Sequence, residues 1–207
     1  MEGWSGSRSF HVPDKDSRIE TSASLPGSRV PIDASSPSAR AGLIVDISTT
    51  CFKSNPSSRN LDIVTVKPKT LSMDQKNMTF IPHVLVVTKG DTVKFLNHDN
   101  VAHNVYSPDN DAYNLGTFKQ NEERTHTFDQ EGAYTQLCSI HPEMLGYIFV
   151  GQNPYAAPVD AKGHYAIKDV PAGTYQLEVW NPKLKAPAKS VTVAAGQTVT
   201  ADLSLKR

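Results

Sequence analysis

The sequence is organised around one short stretch, Cys138-Ser139-Ile140-His141-Pro142-Glu143-Met144. It places a thiol, an imidazole and a thioether at intervals of three residues, so that all three can converge on one ion from a single loop. Two histidines and one cysteine in a plane, with a weak methionine on the axis, are the donors of a mononuclear copper site. The stretch therefore predicts a copper site that lacks one histidine, which another part of the chain must supply.

Three histidines are candidates for the missing ligand: His83, His98 and His103. His103 opens an apolar stretch shortly after a predicted strand, and Asn104 follows it directly. A metal-binding histidine is commonly fixed by hydrogen bonds from a neighbouring polar group. We therefore predict His103 as the remaining ligand. His83 and His98 are interpreted as solvated loop histidines, and each stays open as an alternative ligand.

Short apolar runs separated by turn residues surround the loop. Thr92 to Leu96 alternates apolar and polar residues, and Ala133 to Cys138 leads into the metal loop. Further strands are predicted at Leu61–Val66, Phe80–Val87, Val101–Tyr106, Arg124–Phe128 and Tyr147–Val150, with turns over Ser107–Asn114. Because no apolar spacing follows the helical period for three turns, the pattern predicts an all-β fold, either a sandwich or a barrel.

Alternation with a period of two is clearest after residue 154. It covers Tyr165 to Ile167, Tyr175 to Val179 and Val199 to Leu205. About fifty residues with three or four strands make a thin core for an independent domain. We therefore expect this second module either to borrow a strand from the segment before Met73 or to pack on the first domain.

Composition limits the possible classes of function. The 207 residues carry 21 basic and 21 acidic side chains without a run of like charge, which argues against a nucleic-acid partner. The two cysteines, Cys51 and Cys138, are too few for a disulfide framework, although they could form one bridge. No apolar run is long enough to span a membrane, and the polar start of the chain has no readable secretory signal.

The pattern Asn97…His103-Asn104-Val105, followed by the loop from Cys138 to Met144, resembles the cupredoxin family of plastocyanin and amicyanin. Lys89-Gly90-Asp91-Thr92-Val93 and Glu131-Gly132-Ala133-Tyr134 add to the resemblance. It implies a Greek-key β-sandwich that binds one type 1 copper ion.

The same resemblance implies roles for individual residues. The copper ligands would be His103, Cys138, His141 and Met144. Asn104 would not bind the ion but would tie the His103 strand to the cysteine loop, at Ser139.

The end of the chain resembles a different family. Gly163-His164-Tyr165-Ala166-Ile167 and Val170-Pro171-Ala172-Gly173-Thr174-Tyr175 are similar to the carboxypeptidase regulatory-like, or transthyretin-like, β-sandwich module. The joined layout is similar to methylamine-utilisation-type and plastocyanin-like proteins, which are generally exported, so the resemblance implies a periplasmic or extracellular location.

Four regions are predicted from these observations. Residues 1–40 are a disordered segment or linker, rich in Ser, Pro and Gly. Residues 41–60 are uncertain and hold a possible strand of the second module. Residues 61–151 are the cupredoxin domain, and residues 152–207 are the regulatory-like β-module.

The predicted function is that of a blue copper electron carrier rather than an enzyme. It would act as a monomer and meet a redox protein, a cytochrome or an oxidoreductase, only transiently. Two alternatives stay open. One is a copper-binding or storage protein that uses the same ligands without exchanging electrons. The other is a structural or adhesive β-module protein.

Overall fold

The computed structural model describes residues 28–29, 44–48 and 67–206. These residues form fifteen strands and, within the described ranges, no helix. In chain order the strands are β1 Ser28–Arg29, β2 Ile44–Ser48, β3 Thr70–Lys76, β4 Thr79–Ile81, β5 Val84–Thr88, β6 Thr92–Asn97, β7 His103–Ser107, β8 Tyr113–Phe118, β9 Glu123–Thr127, β10 Gly132–Leu137, β11 Leu145–Gly151, β12 Ala156–Pro158, β13 His164–Tyr165, β14 Gly173–Trp180 and β15 Lys189–Val193.

Strands β3 to β11 form the first sandwich, which has two mixed sheets. One sheet has the order β5-β11-β10-β7-β8 and the other the order β4-β3-β6-β9. The pairs β5–β11 and β3–β6 are parallel, whereas their neighbours pair antiparallel. The core between the sheets includes the buried side chains Met73, Phe80, Phe95, Val105, Phe118, Phe128, Tyr134, Cys138, Met144 and Ile148. The predicted all-β class is confirmed.

Strand β6 shows why the sequence folds in this way. Val93 and Phe95 have no exposed surface, whereas Lys94 between them reaches solvent and pairs with Glu123 on β9 at 3.0 Å. Full burial of each apolar side chain contributes about 1.5 to 3 kcal/mol. The alternation predicted for this strand is therefore confirmed, and it fixes which face of β6 meets the core.

Two strands of the first sandwich were not predicted, and one predicted strand is outside the described residues. Thr70–Lys76 reads as polar, yet it forms β3 because β4 and β6 pair with it on both sides. Tyr113–Phe118 forms β8, so the turns predicted over residues 107–114 end earlier than expected. The strand predicted at Leu61–Val66 lies in the part of the chain that is not described.

The second module is completed by a strand that precedes the first sandwich in the sequence. β2 lies inside the sheet β12-β2-β14-β15 and pairs antiparallel with both β12 and β14. Its first two residues, Ile44 and Val45, are fully buried. Because β2 precedes β3 and β12 follows β11, the whole first sandwich is inserted between two strands of this sheet.

The last predicted strand takes a different form. Ala201 and Leu203 are buried and their neighbours are exposed, as the alternation from Val199 to Leu205 predicts. However, no strand is formed over these residues in the described structure, and the one bridge there joins Lys206 to Lys185. The pattern correctly predicted burial, whereas the assignment of a ladder strand was wrong.

The two parts of the chain meet at Trp180, the last residue of β14. Its ring centroid lies 5.4 Å from that of Tyr147 and 6.3 Å from that of Phe149. Both partners are on β11, on the face opposite Ile148 and the core. The second module therefore packs on the outer face of the strand that leaves the metal loop. Within the described ranges, no helix is long and apolar enough to cross a membrane.

Candidate metal centre

The predicted ligands come from two neighbouring strands and the loop that joins one of them to β11. His103 is the first residue of β7, and Cys138 directly follows β10. The loop then carries His141 and Met144 before β11 begins at Leu145. Because β10 pairs with both β7 and β11, all four side chains start from one end of the same sheet.

Three donor atoms converge at this end. The Nδ1 atoms of His103 and His141 are 2.9 Å apart. The Cys138 Sγ atom lies 4.0 Å from the first and 3.7 Å from the second. No other group of His, Cys, Asp or Glu side chains in the described ranges has the spacing of a metal site.

The size of this triangle fits a bound ion. The point equidistant from its three corners is about 2.1 Å from each atom, close to metal–nitrogen and metal–sulfur bonds of about 2.0 to 2.3 Å. The chemistry fits as well, since a thiolate with two imidazoles suits copper. Cys138 and His103 are almost fully buried, and His141 is partly exposed.

Met144, the fourth predicted ligand, is buried at the end of the same loop. Its backbone N–H donates to the His141 carbonyl at 3.0 Å, which closes a tight turn between the two residues. Its side chain is 1% exposed and belongs to the same buried cluster as Cys138. The Met144 side chain is therefore held in place by its packing in the core.

Asn104 connects the two strands of the site. Its Oδ1 atom accepts a hydrogen bond from the Ser139 N–H at 3.3 Å. Its own backbone N–H points at Cys138 Sγ, 3.4 Å away. Its Nδ2 atom donates to Asn114 Oδ1 on β8 at 2.8 Å. The side chain therefore links β7, β8 and the start of the metal loop.

Asp99 is a residue of the site that the sequence reasoning missed. Its Oδ2 atom lies 2.8 Å from His103 Nε2, and both groups are buried. A proton on Nε2 that donates to this carboxylate leaves the Nδ1 lone pair free to face Cys138 and His141. The available signal was an acidic residue four positions before His103, at the end of a strand.

The charge state of Asp99 is set by its partners. Burial alone would raise the pKa of this carboxyl group. Hydrogen bonds from the Met78 amide, the His103 ring and the Asn77 amide outweigh burial and hold the pKa below its usual value. Asp99 is therefore ionised, so it can accept the His103 proton.

The alternative histidines lie elsewhere. His98 is half-exposed and its Nδ1 atom contacts Asp74 Oδ2 at 2.8 Å. His83 is not free in solvent, because its ring packs edge-on against Tyr147 at 5.5 Å. Burial lowers the pKa of His83, although a hydrogen bond to the Leu145 backbone opposes this. Neither ring joins the three donors; His83 lies in the loop between β4 and β5, as expected, but it is partly buried there.

Comparison with known proteins agrees with this geometry. Residues 67–151 match the family model "Copper binding proteins, plastocyanin/azurin family". This part of the chain has the cupredoxin fold. The family binds copper, and the structure positions His103, Cys138, His141 and Met144 as a type 1 site. No curated protein matches the chain.

Several solved structures are similar to the cupredoxin domain. A purple cupredoxin from Nitrosopumilus maritimus is 26% identical, over 39% of this chain and 99% of its own length, with a TM-score of 0.38. Amicyanin from Paracoccus versutus is 23% identical over 42% of this chain and 86% of its own, with a TM-score of 0.38. A copper-containing nitrite reductase from Thermus scotoductus is 27% identical over 42% of this chain, with a TM-score of 0.40, and the match spans 24% of its length.

A second family model covers the end of the chain. Residues 131–201 match the model "Polysaccharide lyase family 4, domain II". The match begins inside the cupredoxin domain, before β10, and ends before the last buried residue of the second module. The carboxypeptidase regulatory-like assignment and the four domain boundaries stay predictions.

Proposed function

We propose that this protein is an electron carrier whose cupredoxin domain holds one copper ion between His103, Cys138, His141 and Met144. The observation that carries the proposal is the triangle formed by two imidazole nitrogens and one cysteine sulfur at the end of a sheet. Copper, when bound, alternates between Cu(I) and Cu(II) and so supplies one electron at a time. The chain's contribution is to hold the donors in one arrangement that suits both states.

Several contacts keep the donors in place. Asp99 fixes the ring and tautomer of His103, Asn104 ties the start of the loop to β7, and the His141–Met144 turn holds the backbone of Met144. Since Cys138 and Met144 are buried in the core, little water reaches the sulfur donors. Rigid donors reduce the rearrangement that accompanies each electron transfer, because packed cores resist changes in shape.

The partner would dock on the metal loop. His141 is the one donor of the three that is partly exposed, so its ring edge is the exit for the electron. Around it, Ile140 is 44% exposed and Leu145 37% exposed, and Pro142 is also exposed. A small apolar surface of this kind suits the weak, short-lived complexes of electron carriers. The partner would be a cytochrome or an oxidoreductase, the carrier a monomer, and the location periplasmic or extracellular, as the family resemblance implies.

The test is to add Cu(II) to the purified protein and record its visible and electron paramagnetic resonance spectra. We expect an intense thiolate-to-copper charge-transfer band and its loss in Cys138→Ser. His103→Ala should lose or remodel the signal, whereas His98→Ala, which removes a ring bound to Asp74, should keep it. A colourless wild-type protein would contradict the type 1 assignment.

A second measurement separates electron transfer from copper storage. The copper-loaded protein is mixed with a reduced c-type cytochrome, and the charge-transfer band is followed in time. An electron carrier loses its band as the cytochrome is oxidised. A band that persists on a timescale of hours would favour a storage protein with the same ligands.

A further inference from the structure

The hairpin between β3 and β4 has an unusual turn. Its two connecting residues, Asn77 and Met78, have φ values of 54° and 58°. Two-residue hairpin turns with positive φ at both positions favour Asn-Gly, because glycine has no side chain to oppose that backbone conformation. Asparagine fits the first position, but methionine in the second costs on the order of 1 kcal/mol. Another interaction must offset this cost.

Asp99 supplies that interaction. The Asn77 N–H donates to Asp99 Oδ1 at 3.0 Å, and the Met78 N–H donates to Asp99 Oδ2 at 2.8 Å. The Asp99 backbone is itself held, since its N–H donates to Asn97 Oδ1 at 2.9 Å. The Asn97 side chain donates in turn to the carbonyl groups of Val101 and Phe118. The turn is thus fixed to the buried end of β6.

The turn and the metal site share one oxygen atom. Asp99 Oδ2 accepts both the Met78 N–H and the proton on His103 Nε2, at 2.8 Å in each case. Hydrogen bonds to a charged carboxylate are among the stronger ones in proteins. The two turn amides hold the Asp99 carboxylate in place. The position of its Oδ2 atom in turn sets the orientation of the His103 ring.

We propose that the Asn77–Met78 turn is a positioning element for the metal ligand His103 and acts on it through Asp99. The proposal rests on the function proposed above, because it takes His103 as a ligand. It assigns a role in the copper site to a surface hairpin that contributes no ligand and lies 25 or more positions before His103 in the sequence.

The test compares two changes in the same turn. N77G/M78V places glycine first and a β-branched residue second, which favours a type II′ turn and rotates the amide of residue 78 away from Asp99. M78G creates Asn-Gly, which favours the existing backbone and keeps both donors. Both variants shorten the partly buried Met78 side chain, and M78G removes more of it, so lost packing does not explain a change that is seen only in N77G/M78V.

The first readout needs no metal. In the copper-free protein, the proton on His103 Nε2 is followed by nuclear magnetic resonance. Its exchange with water should be about tenfold faster in N77G/M78V than in wild type, because its acceptor is no longer held. M78G should exchange this proton at the wild-type rate. Equal rates in all three folded proteins would overturn the proposal.

The second readout uses the copper-loaded protein. The charge-transfer band and the copper hyperfine splitting should differ from wild type in N77G/M78V. In M78G both should keep the wild-type values. If wild type has no charge-transfer band, the proposed function fails while the exchange measurement still reports on the turn. If the band is present and does not differ between the variants, the positioning role is wrong while the electron-carrier proposal stands.

Discussion

Asn104 and Cys138 are 34 positions apart in the sequence, yet the backbone N–H of Asn104 points at the cysteine Sγ at 3.4 Å. This contact places a polar N–H beside the sulfur donor and joins the start of β7 to the end of β10. The Asn104 side chain adds a second connection, through Ser139, to the same loop. Asn104 therefore contacts both the Cys138 sulfur and the loop that carries His141 and Met144.

Asn104→Ala should destabilise the metal loop. The Ser139 N–H loses its acceptor and Asn114 Oδ1 loses one of its two donors, at a cost of about 1 to 2 kcal/mol in the free energy of unfolding. Urea unfolding of the copper-free protein measures this loss. Asn114→Ala is the comparison variant: it removes the contact to Asn104 and the acceptor of the Gly116 N–H, and it keeps the contact to Ser139. Wild-type stability in Asn104→Ala would show that the contact to the loop contributes nothing.

Trp180→Ala should uncouple the second module from the cupredoxin domain. The substitution removes aromatic contacts with Tyr147 and Phe149, each worth about 0.5 to 1.5 kcal/mol beyond the buried area. We expect differential scanning calorimetry to show one transition for wild type and two for the variant. Trp180→Phe keeps a ring in the interface and should stay closer to wild type. A single, unshifted transition for Trp180→Ala would show that the two parts are coupled elsewhere.

Of the two parts of the chain, only the first should fold when each is expressed alone. Residues 67–151 contain the complete buried core of the first sandwich and should fold, with dispersed amide resonances. Residues 152–207 should not, because the sheet lacks its inner strand β2. Joining residues 42–49 to the front of this fragment with a flexible linker should restore the fold. A dispersed spectrum from 152–207 without that addition would refute the requirement for β2.

His126 should make the stability of the protein depend on pH. Burial lowers its pKa from the ordinary value of 6.5, while Asp111 and Asp129 partly oppose this. The unfolded chain therefore takes up a proton at a higher pH than the folded protein does. The stability contributed by neutral His126 is present above about pH 6.5 and falls as the pH drops toward the lower folded pKa.

His126→Phe tests this dependence, because it keeps a ring stacked on Tyr113, 3.8 Å from centroid to centroid. It also removes a buried Nε2 atom that has no hydrogen-bond partner. We expect a gain of about 1 kcal/mol at pH 7 and a smaller loss of stability between pH 7 and 5. His83, whose pKa is also lowered by burial, should supply the dependence that remains. An unchanged pH profile would contradict the assignment to His126.

The sequence was informative wherever the signal is local. The spacing of Cys138, His141 and Met144 predicts one loop with three donors, and the structure has that loop. Alternation in β6 and β14 predicts which side chains are buried, because successive residues of a strand point to opposite faces. For Val199 to Leu205 the rule predicted the burial correctly, although no strand is formed over these described residues.

Other features depend on pairings that no local pattern encodes. β3 is polar in sequence and is a strand because two neighbours pair with it. The environment of His83 likewise depends on Tyr147, which is 64 positions later in the sequence.

By itself, the loop from Cys138 to Met144 determined the kind of ion, because donor chemistry and spacing are properties of consecutive residues. The tertiary structure decided that His103 stands opposite the loop and that Asp99 orients it. It also placed the Asn77–Met78 turn against Asp99 and β2 inside the sheet of the second module. These relationships arise from strands that meet only when the core is packed, so they are absent from any short stretch of sequence.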